Sequence, residues 1–142
     1  MTVTVRFAGY AAIFDHPDRG GDIIRKGAFD GAKAGLPVFW CHDATRRIGT
    51  VDTLMEDDRG LRVTGTITGR AVPIGQGLSF GYRVRTAGTY GTYRELNALD
   101  LIEVSLVAQP MQPLARVIAT HPQSGEPQST ESQTGETAWT TK

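Results

Sequence analysis

One cysteine, Cys41, stands in the whole 142-residue chain. A single thiol cannot form an internal disulfide and cannot anchor a Cys-rich zinc site. Net charge is also missing: 15 Lys and Arg balance 15 Asp and Glu, so no long-range field draws the protein onto nucleic acid or an anionic membrane. Apolar runs are only a few residues long, far short of a membrane span. The first ten residues, MTVTVRFAGY, lack the basic-then-apolar layout of a signal peptide. A chain of this length holds one core, since two would each be marginal. The expectation is a soluble, intracellular protein with one domain, with neither nucleic acid nor membrane as partner.

Composition breaks near residue 120. From His121 onward the sequence reads HPQSGEPQSTESQTGETAWTTK, without Leu, Ile, Val, Phe or Met. Such a segment cannot bury enough apolar surface to offset the entropy of ordering it. The reading is therefore a domain over 1–120 and a disordered polar tail over 121–142.

The domain reads as mainly β. Residues 2–11 alternate, with Val3, Val5 and Phe7 on one face and Thr4 and Arg6 on the other. Residues 60–69 alternate most cleanly: Leu61, Val63 and Ile67 against Arg62, Thr64, Thr66 and Thr68. Asp57-Asp58-Arg59-Gly60 is a hairpin-type turn that joins this strand to one over 48–55. Strands over 36–42, 78–85 and 99–108 complete the set. Helical signal is weak, with one short turn over 27–34 and a second near the C-terminal end of the core. Short strands with Gly- and Asp-rich turns predict a small antiparallel β-barrel, closed or partly open, with one or two short helices.

Three polar residues interrupt these apolar strands. His42 ends Leu36-Pro37-Val38-Phe39-Trp40-Cys41-His42 and, by alternation, shares a face with Val38 and Trp40. By itself it reads as a structural histidine, and neither His16, His121 nor Cys41 stands at a metal-ligand spacing from it. Ser79 lies in Gly77-Leu78-Ser79-Phe80-Gly81, where two glycines clear space around the hydroxyl. The pattern matches the nucleophile elbow G-x-S-x-G, but residues 80–85 continue as a strand where an elbow needs a helix. Glu103 sits mid-strand in Leu101-Ile102-Glu103-Val104-Ser105-Leu106-Val107, where an acid is costly unless paired or solvated. A structural ion pair with an arginine would satisfy it, and so would a histidine. A base that activates a serine hydroxyl, itself oriented by a carboxylate, needs these three residue types.

The same segments, in order, carry a family resemblance. Gly9-Tyr10-Ala11-Ala12-Ile13-Phe14-Asp15, Gly21-Asp22-Ile23-Ile24 and Gly27-Ala28-Phe29 come first. Val38-Phe39-Trp40-Cys41-His42-Asp43, Ile48-Gly49-Thr50-Val51 and Asp58-Arg59-Gly60-Leu61 follow. Gly77-Leu78-Ser79-Phe80-Gly81-Tyr82 and the strand around Glu103, with Pro110 beyond, complete the series. The chain resembles the prohead serine proteases of tailed bacteriophages, which are distantly similar in fold to the capsid-maturation proteases of herpesviruses.

The resemblance implies a serine endopeptidase that matures a phage-type capsid, with Ser79 as nucleophile, His42 as base and Glu103 as third member. It further implies cleavage of scaffold or of an N-terminal extension of the major capsid protein, inside the assembling prohead in the bacterial cytoplasm. Self-processing, a homodimer and the absence of any cofactor or metal belong to the same expectation. Whether the particle is an infectious phage, a prophage remnant or a gene transfer agent is left open by the sequence. Ser105 lacks the flanking glycines of Ser79 and is read as a decoy. Loop 108–111 is the expected source of an oxyanion-binding N–H, by similarity to the herpesvirus relatives. Cys41 stands where many relatives carry a polar amide, and a helix common before the Gly-Leu-Ser segment has no room in residues 70–76. The rival reading is a catalytically silent capsid-assembly or scaffold-binding module on the same fold.

Overall fold

A computed structural model describes residues 3–123. Eight strands follow one another: β1 (Thr4–Ile13), β2 (Asp22–Ile24), β3 (Pro37–Trp40), β4 (Asp43–Glu56), β5 (Gly60–Thr68), β6 (Gly77–Tyr90), β7 (Tyr93–Val107) and β8 (Val117–Gln123). They form one sheet in the order β2-β7-β3-β4-β5-β1-β8, with β6 paired to β7. The alternation in β5 places Leu61, Val63 and Ile67 in the core, each fully buried. The turn before it is built as its residues dictate. Asp57 N–H donates to the Gly60 carbonyl, and the Asp57 carboxylate accepts the N–H groups of Arg59 and Gly60. Gly60 has no alternative there, since a Cβ would lie 1.9 Å from the Ala12 carbonyl oxygen.

Strand β7 organises the rest. Along one edge it pairs antiparallel with β6; along the other it pairs parallel with β2 at Arg94–Leu96 and with β3 at Val104–Leu106. The sheet is thus mixed, not purely antiparallel. It also curls. The start of β6 meets the residues before β8 through an isolated bridge between Gly77 and Arg116, and Leu78 N–H donates to the Ala115 carbonyl. No ladder continues from that bridge among the described residues, so the sheet is open.

No helix forms among the described residues. In place of the helical turn expected over 27–34, three successive turns run through Arg25–Ala28, Gly27–Asp30 and Phe29–Ala32. The reason lies in Gly27, Gly31 and Gly35, whose φ values of 96°, 86° and 95° reverse the helical hand every four residues. Near the end of the core, the second expected helix is one turn closed by Ala115 N–H and the Gln112 carbonyl, leading into β8. That strand pairs His121, Pro122 and Gln123 with Arg6, Val5 and Thr4, so ordered structure passes the composition break by three residues. The remainder of the expected tail, 124–142, lies outside the described residues. The core is built from both faces of the curl, with Phe7, Val38, Val51, Leu78, Leu99 and Leu106 all sealed from solvent.

Candidate active site

The site starts from a turn. Strand β3 ends at Trp40, which pairs with Asp43 at the start of β4, leaving Cys41 and His42 as a two-residue hairpin loop. Both take left-handed backbone, with φ of 53° and 62°. This is the mirror-image turn that matches the twist of its flanking strands. For residues bearing a Cβ it costs about 1–2 kcal/mol each. Three polar contacts hold it: Cys41 N–H donates to the Leu106 carbonyl at 2.9 Å, His42 N–H donates to Ser105 Oγ at 3.0 Å, and Asp43 Oδ1 accepts from Thr45. The strand expected over 36–42 therefore stops two residues early. His42 does not continue the face of Val38 and Trp40; the turn carries it over β7.

On β7, Glu103 and Ser105 are two residues apart and so share a face. Glu103 is a buried carboxylate, 6% exposed, with both oxygens engaged. Its Oε2 lies 2.6 Å from His42 Nδ1, and its Oε1 accepts from Ser105 Oγ at 2.8 Å. Of the two partners open to it in the sequence, the histidine is the one observed. The contact raises the His42 pKa above its ordinary 6.5, through the hydrogen bond and charge of Glu103, against the opposing effect of partial burial. With Nδ1 facing a carboxylate, the neutral ring carries its proton there and leaves Nε2 as the acceptor.

Ser79 comes from β6. It pairs across the ladder with Ser105, and Gly81 pairs with Glu103. The second glycine of Gly77-Leu78-Ser79-Phe80-Gly81 now has a specific reason: a Cβ at Gly81 would lie 2.9 Å from both Cγ and Oε2 of Glu103. The space is filled by the carboxylate. At Gly77 the close neighbour is backbone, the Val107 carbonyl oxygen at 2.6 Å from such a Cβ. Ser79 and His42 line one cavity of about 150 Å³ together with Asp18, Tyr82, Met111 and Gln112. No hydrogen bond joins Ser79 to His42 among the described residues. Met111 is the one member of loop 108–111 on that wall. A larger cavity, about 510 Å³, lies under the 30–36 turns and holds none of the candidate residues.

The structure thus brings His42 and Glu103 into contact and sets Ser79 on the same cavity wall as His42. Ser105 is the residue that sequence reasoning undervalued. It is fully buried, and it bonds both the His42 backbone and the Glu103 carboxylate. Its i+2 spacing from Glu103 was the available signal. No group of three or more His, Cys, Asp or Glu residues suited to a metal occurs among the described residues, and no helix there is long and apolar enough to cross a membrane.

The family described as caudovirus prohead serine protease matches residues 2–129 of this chain. The chain belongs to that family. The prohead protease of Enterobacteria phage HK97 is 40% identical in a 67-residue alignment that covers 44% of this chain and 30% of the HK97 protein. The matched stretch is thus under a third of that curated relative. Among solved structures, KSHV protease, crystallised with a hexapeptide phosphonate inhibitor, superposes with a TM-score of 0.56 at 14% identity. The match covers 87% of this prohead protease family member and 66% of the KSHV chain. At that identity the likeness concerns the fold.

Proposed function

We propose that this chain is a serine endopeptidase of phage-type capsid maturation, with Ser79 as nucleophile, His42 as general base and Glu103 as the group that orients it. The observation that carries the reading is the 2.6 Å contact between His42 Nδ1 and a buried Glu103, beside a cavity whose wall includes Ser79. Family membership supports the reaction class. Ser79 Oγ attacks the scissile carbonyl carbon while its proton passes to His42 Nε2, and the carbonyl π pair moves onto oxygen. Glu103 stabilises the imidazolium that results. His42 then returns the proton to the leaving amine, and water repeats the sequence on the acyl-enzyme. Backbone N–H groups stabilise the oxyanion, and loop 108–111 is the assigned source, its Met111 lying on the same cavity.

The substrates assigned are scaffold and the N-terminal extension of the major capsid protein, cleaved inside the prohead. The tail over 121–142 would be a further cleavage target in self-processing. Confinement with substrate raises its effective concentration, so modest intrinsic activity suffices.

The test pairs wild type with Ser79→Ala, each co-expressed with a capsid precursor. Wild type is expected to shorten the precursor and to be labelled at Ser79 by a serine-directed fluorophosphonate. The Ser79→Ala protein does neither, and His42→Ala loses labelling. Identical precursor bands from wild type and Ser79→Ala would instead support the silent assembly module.

A further inference from the structure

The catalytic reading leaves the Ser105 hydroxyl without a task, though it sits at the centre of the site. We propose that Ser105 is a positioning residue that clasps the His42 backbone to the Glu103 carboxylate, fixing imidazole and acid as one unit. The proposal rests on the catalytic reading for its consequence in turnover, but not for its geometry.

A serine hydroxyl has one proton to donate and two lone pairs. His42 N–H is a donor, so at 3.0 Å Ser105 Oγ must accept from it. The single proton is then free for one place, Glu103 Oε1 at 2.8 Å. That bond fixes the carboxylate plane, and in this orientation Oε2 meets Nδ1 at 2.6 Å. A partial rotation of the carboxylate would break the Ser105 hydrogen bond, and the ring cannot trade Nδ1 for Nε2 without leaving Oε2. Nothing in the hairpin itself accepts the His42 N–H, since a two-residue loop leaves its own donors outside the ladder. Ser105 supplies that acceptor from the neighbouring strand. A buried hydroxyl is costly unless bonded, and this one is bonded on both sides. Removing it leaves a buried Oε1 unsatisfied and a left-handed residue untethered.

The test uses the full chain as Ser105→Ala and Ser105→Thr, with nitrogen-15 labelled histidine. The other ionisable side chains on the same cavity are Asp18 and Tyr82, so His42 is followed by its own ring signals. In wild type the neutral His42 ring is expected to hold its proton on Nδ1 and to titrate above 6.5. In Ser105→Ala the titration moves down toward 6.5 and the ring becomes a mixture of tautomers, while Ser105→Thr, which keeps the hydroxyl, restores the wild-type signature. On a peptide substrate kcat falls by about 10- to 100-fold, as for other groups that orient a reacting ligand, with KM within about twofold. A folded Ser105→Ala whose His42 titration and tautomer match wild type would overturn the proposal. Should alanine prevent folding, Ser105→Cys, which keeps the volume and weakens the donor, is read the same way. Loss of all peptidase activity in wild type would sink the catalytic reading and leave the ring measurement standing. Normal hydrolysis with unaltered ring signals in the variant would sink the clasp alone.

Discussion

Two regions meet at the candidate site, and they are built on opposite terms. The β6–β7 ladder supplies Ser79, Gly81, Glu103 and Ser105 from paired positions, and there the Glu103 side chain is only 7% exposed. The β3–β4 turn supplies His42 from two left-handed residues, with the side chain 41% exposed. Ladder positions are set by register, since one residue of slippage would send Glu103 and Ser105 to the other face. The turn has no such constraint and is set by its tethers to Leu106 and Ser105. The lesson is that the acid half of the site is an outcome of the fold, while the base half is held in place by a few polar contacts.

Substitutions can separate the two halves. The largest effect is expected in the ladder's core. Leu106→Ala, at a fully buried position, should cost about 2–5 kcal/mol of stability in urea unfolding and lower activity only through the folded fraction. Next comes Gly81→Ala, where the new methyl meets Glu103. It should lower kcat about 100-fold, the usual consequence of a displacement near 1 Å, with a stability loss of no more than about 2 kcal/mol. An unchanged kcat there would mean that the carboxylate is not needed at Oε2. In the turn, Cys41→Val should destabilise by about 1–2 kcal/mol, because a β-branched residue resists positive φ, whereas Cys41→Asn should match or exceed wild type in thermal melts.

The smallest effect is a matter of pH. The His42 pKa is raised by Glu103, so the fold favours the protonated ring. That contribution to stability is complete below about pH 6.5 and is lost as pH rises through the raised value. On the proposed mechanism activity runs the other way, because the neutral ring would be the base. The acid limb of kcat/KM should have its midpoint above 6.5, and Glu103→Gln should move it down toward 6.5. A limb that stays put in the variant would detach the acid from the base.

Much of the sheet was legible in the sequence, and little of the turn that carries His42. Leu61, Val63 and Ile67 announced their face by alternation, and Asp57 with Gly60 announced the hairpin before them. Ser79, His42 and Glu103 stood out as polar residues in apolar strands. Cys41-His42 carried no such signal, since left-handed pairs are usually marked by Asn or Gly and this one is stabilised by contacts 63 and more residues away. Parallel pairing of β3 with β7 was equally hidden, because a strand of four residues has too few positions to reveal both its neighbours. The turns over 27–34 were misread as helical although Gly27 and Gly31 were in plain view. Strand β8 was missed because Thr120, His121 and Pro122 look like the polar stretch that follows.

His42 and its carboxylate partner are 61 residues apart along the chain. Synthesis therefore brings out His42, and Ser79 after it, before the residue that holds the imidazole has been made. On the proposed mechanism, a chain that lacks β7 between β3 and β6 has no oriented base. If the chain is the serine endopeptidase proposed above, no peptide bond is at risk from it until the sheet that holds its base is finished.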